Sequence, residues 1–240
     1  MTLETMKKIT ALGDSIIKGV IADENGRNTG NLYKVPENNL TDICSRGLGV
    51  EVFNLGKFGC TISAGEKIIE RNMEKISQSE IALLEFGGND SDHNWVEIAE
   101  TPRQEHEPKT PLQTFISTYR QIITKLKNSG TTPVILSLPP IDCDRFFAYF
   151  TQNMDSIQKN NIIGWLGGNI NLIALWHEMY NKEVVKIAYS CDIKLIDISP
   201  IFLKHRNYNS LLCFDGIHPN VKGQELIANQ IIEDLRNNNL

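Results

Sequence analysis

The sequence predicts an α/β protein, a three-layer α/β/α sandwich in which helices cover both faces of a parallel sheet. Two observations predict this class: short apolar runs recur five times along the 240-residue chain, and amphipathic helical patterns lie between them. Strands that alternate with helices pair in parallel through right-handed crossovers. No internal repeat or linker-like composition interrupts the pattern, so the length fits one domain over residues 1–240.

The five apolar runs are the predicted strands, at residues 9–12, 50–55, 81–86, 134–138 and 193–198. Apolar residues at helical spacing predict helices that end near Leu48 and Ile76, one over 115–126, and a last helix through Leu235. The stretches 23–36 and 90–111 have the composition of polar loops, and an Asn-rich tail ends the chain. Residues 141–188 carry helical patterns on either side of 164–168.

The composition excludes several classes of protein. A hydrophobic fraction of 41% and a charged fraction of 22% are ordinary for a soluble globular domain, and a net charge of −5 argues against a nucleic-acid partner. No apolar stretch approaches the roughly 18 residues of a membrane span, and the N-terminus lacks the features of a signal peptide. We therefore expect a cytoplasmic protein. Its five scattered cysteines predict reduced thiols without a disulfide framework or zinc site: Cys44, Cys60, Cys143, Cys191 and Cys213.

Glycines and polar residues follow four of the predicted strands. Gly13-Asp14-Ser15 follows the first strand, Gly59 lies past the second, and Asn89 follows the third. Asp215-Gly216-Ile217-His218 lies between the fifth strand and the last helix. Because the carboxyl ends of parallel strands share one edge of the sheet, we expect these four distant stretches to converge there.

These residue types are those that acyl transfer to a serine needs. Ser15 is the candidate nucleophile, and His218 is the candidate base because imidazole titrates near neutral pH. Asp215 is placed to orient the imidazole and to stabilise its charged form. The backbone N–H groups of Ser15 and Gly59, with the side-chain amide of Asn89, are candidate donors to an oxyanion.

The same four stretches resemble the sequence blocks of the SGNH hydrolases, also called GDSL esterases and lipases. The matching blocks are 13–15, with Ile16 in place of the usual Leu, then 54–59, 87–90 and 215–220. The resemblance implies a flavodoxin-like sandwich with five parallel strands and a serine-esterase mechanism without metal or cofactor. Members act on acetylated sugars, thioesters, lysophospholipids and short acyl esters. We therefore expect a small acyl ester as substrate, such as a carbohydrate O-acetyl ester, with thioesterase or lysophospholipase activity as the alternative.

Other classes of function leave parts of this pattern unexplained. Residues 15–18 also fit the Ser-x-x-Lys motif of penicillin-binding enzymes, but the accompanying Ser-Asp-Asn and Lys-Thr-Gly motifs are missing, as is a Gly-x-Ser-x-Gly elbow. A metal-dependent phosphoesterase would use Asp14, Asn89, Asp215 and His218 as ligands, a poorer set than such sites need. A non-catalytic domain that binds phosphate at the first turn lacks the usual glycine motifs.

The loops at the same edge are expected to select the substrate, and the candidate contacts are Asp14, Trp95, Pro140 and Ile217. The stretch 90–111 is long for a compact domain, which favours a functional loop. Trp95 within it either stacks on the substrate or holds the loop against the body. Residues 161–169 are either a glycine-hinged lid or, through Trp165 and Leu166, part of the core.

Overall fold

A computed structural model of the chain describes residues 6–23 and 32–237. Its central sheet has five parallel strands: β1 Lys8–Gly13, β4 Glu51–Asn54, β5 Ile81–Glu85, β6 Thr132–Leu136 and β7 Lys194–Ile196. Two short strands, β2 Ile21–Ala22 and β3 Tyr33–Lys34, form a separate antiparallel pair. The α-helices are α1 Ser15–Lys18, α2 Leu40–Leu48, α3 Ile62–Ile76, α4 Trp95–Glu100, α5 Leu112–Asn128, α6 Cys143–Phe150, α7 Ser156–Trp165, α8 Leu172–Ser190, α9 Ser199–Leu203 and α10 Val221–Asn237.

The strand order explains where a ligand can bind. The order across the sheet is β4-β1-β5-β6-β7. The chain therefore runs from β1 to the edge strand β4, returns past β1 to β5, and continues to the opposite edge at β7. This is the flavodoxin-like order, in which ligands bind where the direction of winding reverses, outside the carboxyl ends of β1 and β5. The register sets Gly13 beside Glu85 at that point. The predicted fold class is confirmed.

Two apolar clusters hold the helices against the sheet, one on each face. Alternate residues of a strand point to opposite faces, so Ile9 and Ala11 of β1 pack on one side while Leu12 packs on the other. The first cluster includes the buried faces of α2 and α10, and the second includes those of α3, α5 and α8. The sheet is therefore buried on both faces, as a three-layer sandwich requires.

A third apolar cluster, which we call the cap cluster, joins α4, α6, α7 and the start of α8. Its buried members are Trp95, Ile98, Ala99, Phe146, Ile162, Leu166 and Ile173. Leu166 is buried in it, and the Trp165 ring contacts His93 and Trp176. The structure therefore favours a core role for the stretch 161–169 over the lid hypothesis.

The predicted strands lie within two residues of those in the structure, whereas two of the predicted loops contain regular structure. The stretch 90–111 contains α4, and the stretch 23–36 contains β3. The uncertain region 141–188 consists largely of α6, α7 and α8. Predictions for residues 1–5 and 24–31 and for the end of the Asn-rich tail, 238–240, fall outside the described residues.

All five cysteines are free thiols in the structure. Within residues 6–23 and 32–237, no helix combines the length and the apolar character that crossing a bilayer requires.

Candidate active site

Ser15, His218 and Asp215 form a continuous hydrogen-bonded chain at the carboxyl edge of the sheet. Ser15 Oγ lies 2.9 Å from His218 Nε2, and His218 Nδ1 lies 2.6 Å from Asp215 Oδ2. The other carboxylate oxygen, Asp215 Oδ1, accepts the backbone N–H groups of Ile217 and His218, each at 3.2 Å. Both oxygens of Asp215 are thus engaged, which fixes the carboxylate and, through it, the imidazole plane. All three side chains are buried, with His218 only 2% exposed.

The local sequence explains why Ser15 occupies this position. Gly13 ends β1 where a Cβ atom would lie 2.4 Å from the carbonyl oxygen of Glu85, so only glycine fits there. Asp14 then caps α1, since its Oδ1 accepts the backbone N–H of Ile16 at 2.8 Å. Ser15 is the first residue of α1, which places its N–H at a helix N-terminus where negative charge is stabilised.

Three candidate oxyanion donors belong to residues that line one cavity with the serine: Ser15, Gly59 and Asn89. The backbone N–H groups of Ser15 and Gly59 donate to no acceptor among the residues that the structure describes. Gly59 has a φ of +68°, a conformation that favours glycine. Asn89 Nδ2 donates one hydrogen to Asp14 Oδ2 at 2.8 Å, which leaves its second hydrogen available. Because a carboxylate only accepts hydrogen bonds, this contact also fixes the amide with its nitrogen towards Asp14.

Three buried carboxyl groups lie behind these donors: Asp14, Glu85 and Asp90. Burial and the nearby Asp14 charge raise the pKa of Glu85 well above its usual range. Burial also raises the pKa of Asp14, whose Oδ2 accepts the Asn89 amide. Burial likewise raises the pKa of Asp90 to about 6. Asp90 accepts the first N–H of α3, from Ile62, at 2.9 Å.

A cavity of about 210 Å³ opens beside the serine. Its walls expose mostly apolar surface, to which Pro139, Ile141, Phe146, Ile173 and Ile217 contribute. Polar residues outside the triad also line the cavity, and they include Asp14, Glu85, Asn89, Ser91, Asp92 and His177. The site therefore accepts a small ligand with both apolar and polar parts.

A family model described as GDSL-like lipase/acylhydrolase matches residues 9–231. The chain belongs to this family. It is therefore a serine hydrolase that acts on ester bonds.

Two curated members of the GDSL family are similar to it in sequence. The GDSL esterase/lipase WDL1 of Oryza sativa subsp. japonica is 21% identical over 82% of this chain and 69% of its own length. A GDSL esterase/lipase of Arabidopsis thaliana is 26% identical over 82% of this chain, which spans only 57% of that protein.

Solved structures of GDSL-type hydrolases share the fold. A lipase/acylhydrolase from Enterococcus faecalis superposes with a TM-score of 0.65 at 18% identity, over 97% of this chain and 96% of its own. A variant of an acetyl-xylooligosaccharide esterase from Geobacillus stearothermophilus superposes with a TM-score of 0.64, also at 18% identity, over 98% and 96%. Both likenesses extend over nearly the whole chain, which supports the sandwich described above.

Of the four candidate substrate contacts in this GDSL hydrolase, two line the cavity and two do not. Asp14 and Ile217 line the cavity, and Asp14 also holds Asn89. Pro140 follows a lining residue and precedes another, but it is not itself part of the wall. Trp95 stacks on Phe150 in the cap cluster, with centroids 4.6 Å apart. Its indole N–H donates to Asp92 at 2.8 Å, so this ring holds the loop against the body.

Sequence reasoning did not single out several lining residues, among them Tyr33, Phe58 and His177. The Phe58 ring lies parallel to the His218 ring at 5.8 Å, and the Tyr33 ring lies 5.2 Å from it. Tyr33 Oη also donates to Tyr149 Oη at 2.6 Å. A signal existed only for Phe58, which directly precedes the candidate donor Gly59.

Among residues 6–23 and 32–237, no group of three or more His, Cys, Asp or Glu side chains is arranged to hold a metal ion. The four ligands considered for a phosphoesterase divide into two pairs. Asp14 binds the Asn89 amide, and Asp215 binds the His218 imidazole.

Proposed function

We propose that the protein hydrolyses short-chain carboxylic esters through an acyl-enzyme on Ser15. The observation that carries this proposal is the chain of contacts from Ser15 Oγ to His218 and on to Asp215, at 2.9 and 2.6 Å. In this arrangement His218 Nε2 takes the hydroxyl proton as Ser15 Oγ attacks the ester carbonyl carbon. Asp215 stabilises the imidazolium that results, because its carboxylate contacts Nδ1 directly.

The two half-reactions use the same groups in opposite directions. When the tetrahedral intermediate collapses, the alcohol leaves with the proton held by His218, and the acyl group stays on Ser15. Water then enters, gives its proton to His218 and releases the carboxylic acid, which restores the serine hydroxyl. In each step the negative oxygen is stabilised by the N–H groups of Ser15 and Gly59 and the free amide hydrogen of Asn89.

The dimensions of the cavity support a short acyl group. Its volume of about 210 Å³ lies below the roughly 300–1,000 Å³ of pockets for drug-sized ligands. A carbohydrate O-acetyl ester is the substrate class we favour. One of the structural neighbours is an acetyl-xylooligosaccharide esterase, and polar side chains such as Asp92 line part of this cavity. Thioester and lysophospholipid substrates are the alternatives from the same family.

Steady-state kinetics with p-nitrophenyl acetate test the reaction, and acetylated sugars, short acyl esters and acyl thioesters test the substrate class. Ser15→Ala is expected to lower the rate on the order of 10³-fold or more, because the nucleophile is lost. The control Ser117→Ala removes an exposed hydroxyl on α5 and is expected to leave the rate unchanged. Turnover by Ser15→Ala equal to that of the wild type would contradict the proposal.

A further inference from the structure

Two buried polar side chains in the cavity wall take no part in the serine mechanism. His177 lies on α8 and Glu85 ends β5, and both line the cavity that contains Ser15. His177 is 8% exposed and Glu85 is 1% exposed. Polar side chains of both types are seldom buried unless a partner satisfies them.

Both side chains have hydrogen-bonding capacity to spare. Glu85 Oε2 is buried and has no partner among the described residues. The His177 ring likewise makes no hydrogen bond within residues 6–23 and 32–237, and burial alone perturbs its proton affinity. Unpaired buried polar groups cost free energy, and native proteins satisfy almost all of them. A bound group that supplies the missing hydrogen bonds would remove this cost.

The protonation states define what that group must offer. Burial lowers the pKa of His177 to about 4, so its imidazole is neutral at physiological pH and carries one donor and one acceptor. Burial raises the pKa of Glu85, whose Oε2 is enclosed by protein, so the imidazole is the group that a ligand in the cavity can reach. The His177 imidazole therefore presents a neutral donor and a neutral acceptor, which suit an uncharged hydroxyl.

The position of His177 relates this polar wall to the reacting centre. A Cβ atom built on Gly88 would lie 3.5 Å from Asp14 Oδ2 and 4.0 Å from His177 Nε2. The imidazole nitrogen thus faces the backbone directly before Asn89, on the side where Asp14 holds the Asn89 amide. A ligand group that reaches His177 Nε2 therefore occupies the same cavity as the ester that Ser15 attacks.

We propose that His177 forms a subsite that binds a free hydroxyl of the substrate beside the scissile ester, so that the enzyme selects hydroxylated esters over their deoxy counterparts. This inference rests on the proposed esterase function. The hydroxyl donates to the unprotonated imidazole nitrogen or accepts from the imidazole N–H. A methylene in the same place leaves these groups unpaired. The hydroxyl belongs to the acyl group or to the alcohol, such as a polyol or a sugar.

Two pairs of esters distinguish the two sources. Ethyl 3-hydroxybutyrate and ethyl butyrate differ in an acyl hydroxyl, and glycerol 1-acetate and propyl acetate differ in alcohol hydroxyls. Acid release in a pH-stat gives kcat/KM for each. In at least one pair, we expect the kcat/KM of the wild type to be about fivefold or more higher for the hydroxylated ester. This ratio corresponds to the net free energy of about one hydrogen bond.

Variants test whether His177 causes that preference. His177→Phe keeps a ring of similar size without nitrogens and is expected to bring the ratio within a pair to about one. His205→Phe, at an exposed position after α9, is the matched control and is expected to keep the wild-type ratio. A second measurement needs no variant. In wild-type protein labelled with 15N-histidine, 3-hydroxybutyrate or glycerol is expected to change the NMR chemical shifts of the two ring nitrogens of one histidine. Butyrate and 1-propanol are expected to leave these shifts unchanged.

The outcomes separate this proposal from the function on which it rests. Hydrolysis of the esters without hydroxyl preference in either pair overturns the subsite alone. The subsite is also overturned if His177→Phe retains the wild-type ratio, or if His177→Phe fails to fold and no ring nitrogen responds to the hydroxylated ligands. A wild type that hydrolyses none of the four esters overturns the proposed function and the subsite together.

Discussion

Replacing Asp90 with Asn is expected to change how the stability of the protein depends on pH. Asp90 is fully buried behind the serine, where its carboxylate accepts the N–H of Ile62. Burial raises its pKa from 3.8 to about 6 in the folded protein. Between these two values the folded state binds the proton more tightly than the unfolded state. The free energy of unfolding therefore falls as the pH rises through this window and is constant above it.

The size of the effect follows from the shift. A difference of about 2 pKa units, at 1.36 kcal/mol per unit, corresponds to about 3 kcal/mol of stability lost between pH 4 and pH 7. The asparagine side chain introduced at this position is neutral at every pH, and its carbonyl oxygen still accepts from Ile62. The Thr110 hydroxyl, which donates to Asp90, rotates to accept the new amide. Asp90→Asn is therefore expected to be more stable than the wild type at pH 7 by up to about 3 kcal/mol, with little difference at pH 4.

Urea unfolding at pH values from 4 to 8 measures this difference directly. The control Asp192→Asn changes an exposed carboxylate that is in water in both states, so its profile is expected to parallel that of the wild type. Parallel curves for Asp90→Asn and the wild type across the range would refute the expectation, because the buried carboxylate would then not bind its proton as tightly as its burial implies.

Three further substitutions test the site and the core. Asp215→Asn is expected to lower kcat by about 10³- to 10⁴-fold with KM little changed, because the amide no longer holds His218 in the required tautomer; an equal loss in binding alone would contradict this. Asn89→Ala is expected to lower kcat by about 10²- to 10³-fold, measured with p-nitrophenyl acetate, since one oxyanion donor is lost. Gly65→Ala is expected to destabilise the protein by about 1–3 kcal/mol in urea unfolding, because its Cβ would lie 2.4 Å from Phe86 Cε1; unchanged stability would mean that the ring moves freely.

The positions of the strands and the convergence of the site follow from local signals in the sequence. Each strand of the main sheet is an apolar run that ends near a glycine or a polar residue, and such runs form strands here because both faces are buried. Once parallel pairing is assumed, the residues that follow the strands must share one edge. For this reason Ser15, Asn89 and His218 could be grouped from the sequence alone.

The short helix α4 could not be predicted in the same way. Six residues are too few to establish a helical period, and the surrounding polar residues hide the pattern. The helix exists because Asn94 caps its first turn and because Trp95 and Ile98 pack in the cap cluster against α7. These contacts join segments about 60 residues apart, which no local pattern records.

The carboxyl groups behind the serine depend on register as well as on sequence. Glu85 lies beside Gly13 only because β5 pairs with β1 in this alignment, and one residue of slippage would turn its side chain to the other face. His177 is similar: it lies on α8, whose apolar and polar residues are poorly segregated, and only the packing of that helix directs the ring into the cavity.

Labelling with a fluorophosphonate, followed by mass spectrometry of the modified peptide, tests the central claim most directly. The reagent reacts with a serine only when a neighbouring base has activated it, so it reports the joint effect of Ser15 and His218. We predict one adduct per chain, on Ser15, with loss of ester hydrolysis in proportion to labelling and no adduct in Ser15→Ala. Ester hydrolysis that persists while Ser15 stays unlabelled would contradict the assignment of Ser15 as the nucleophile.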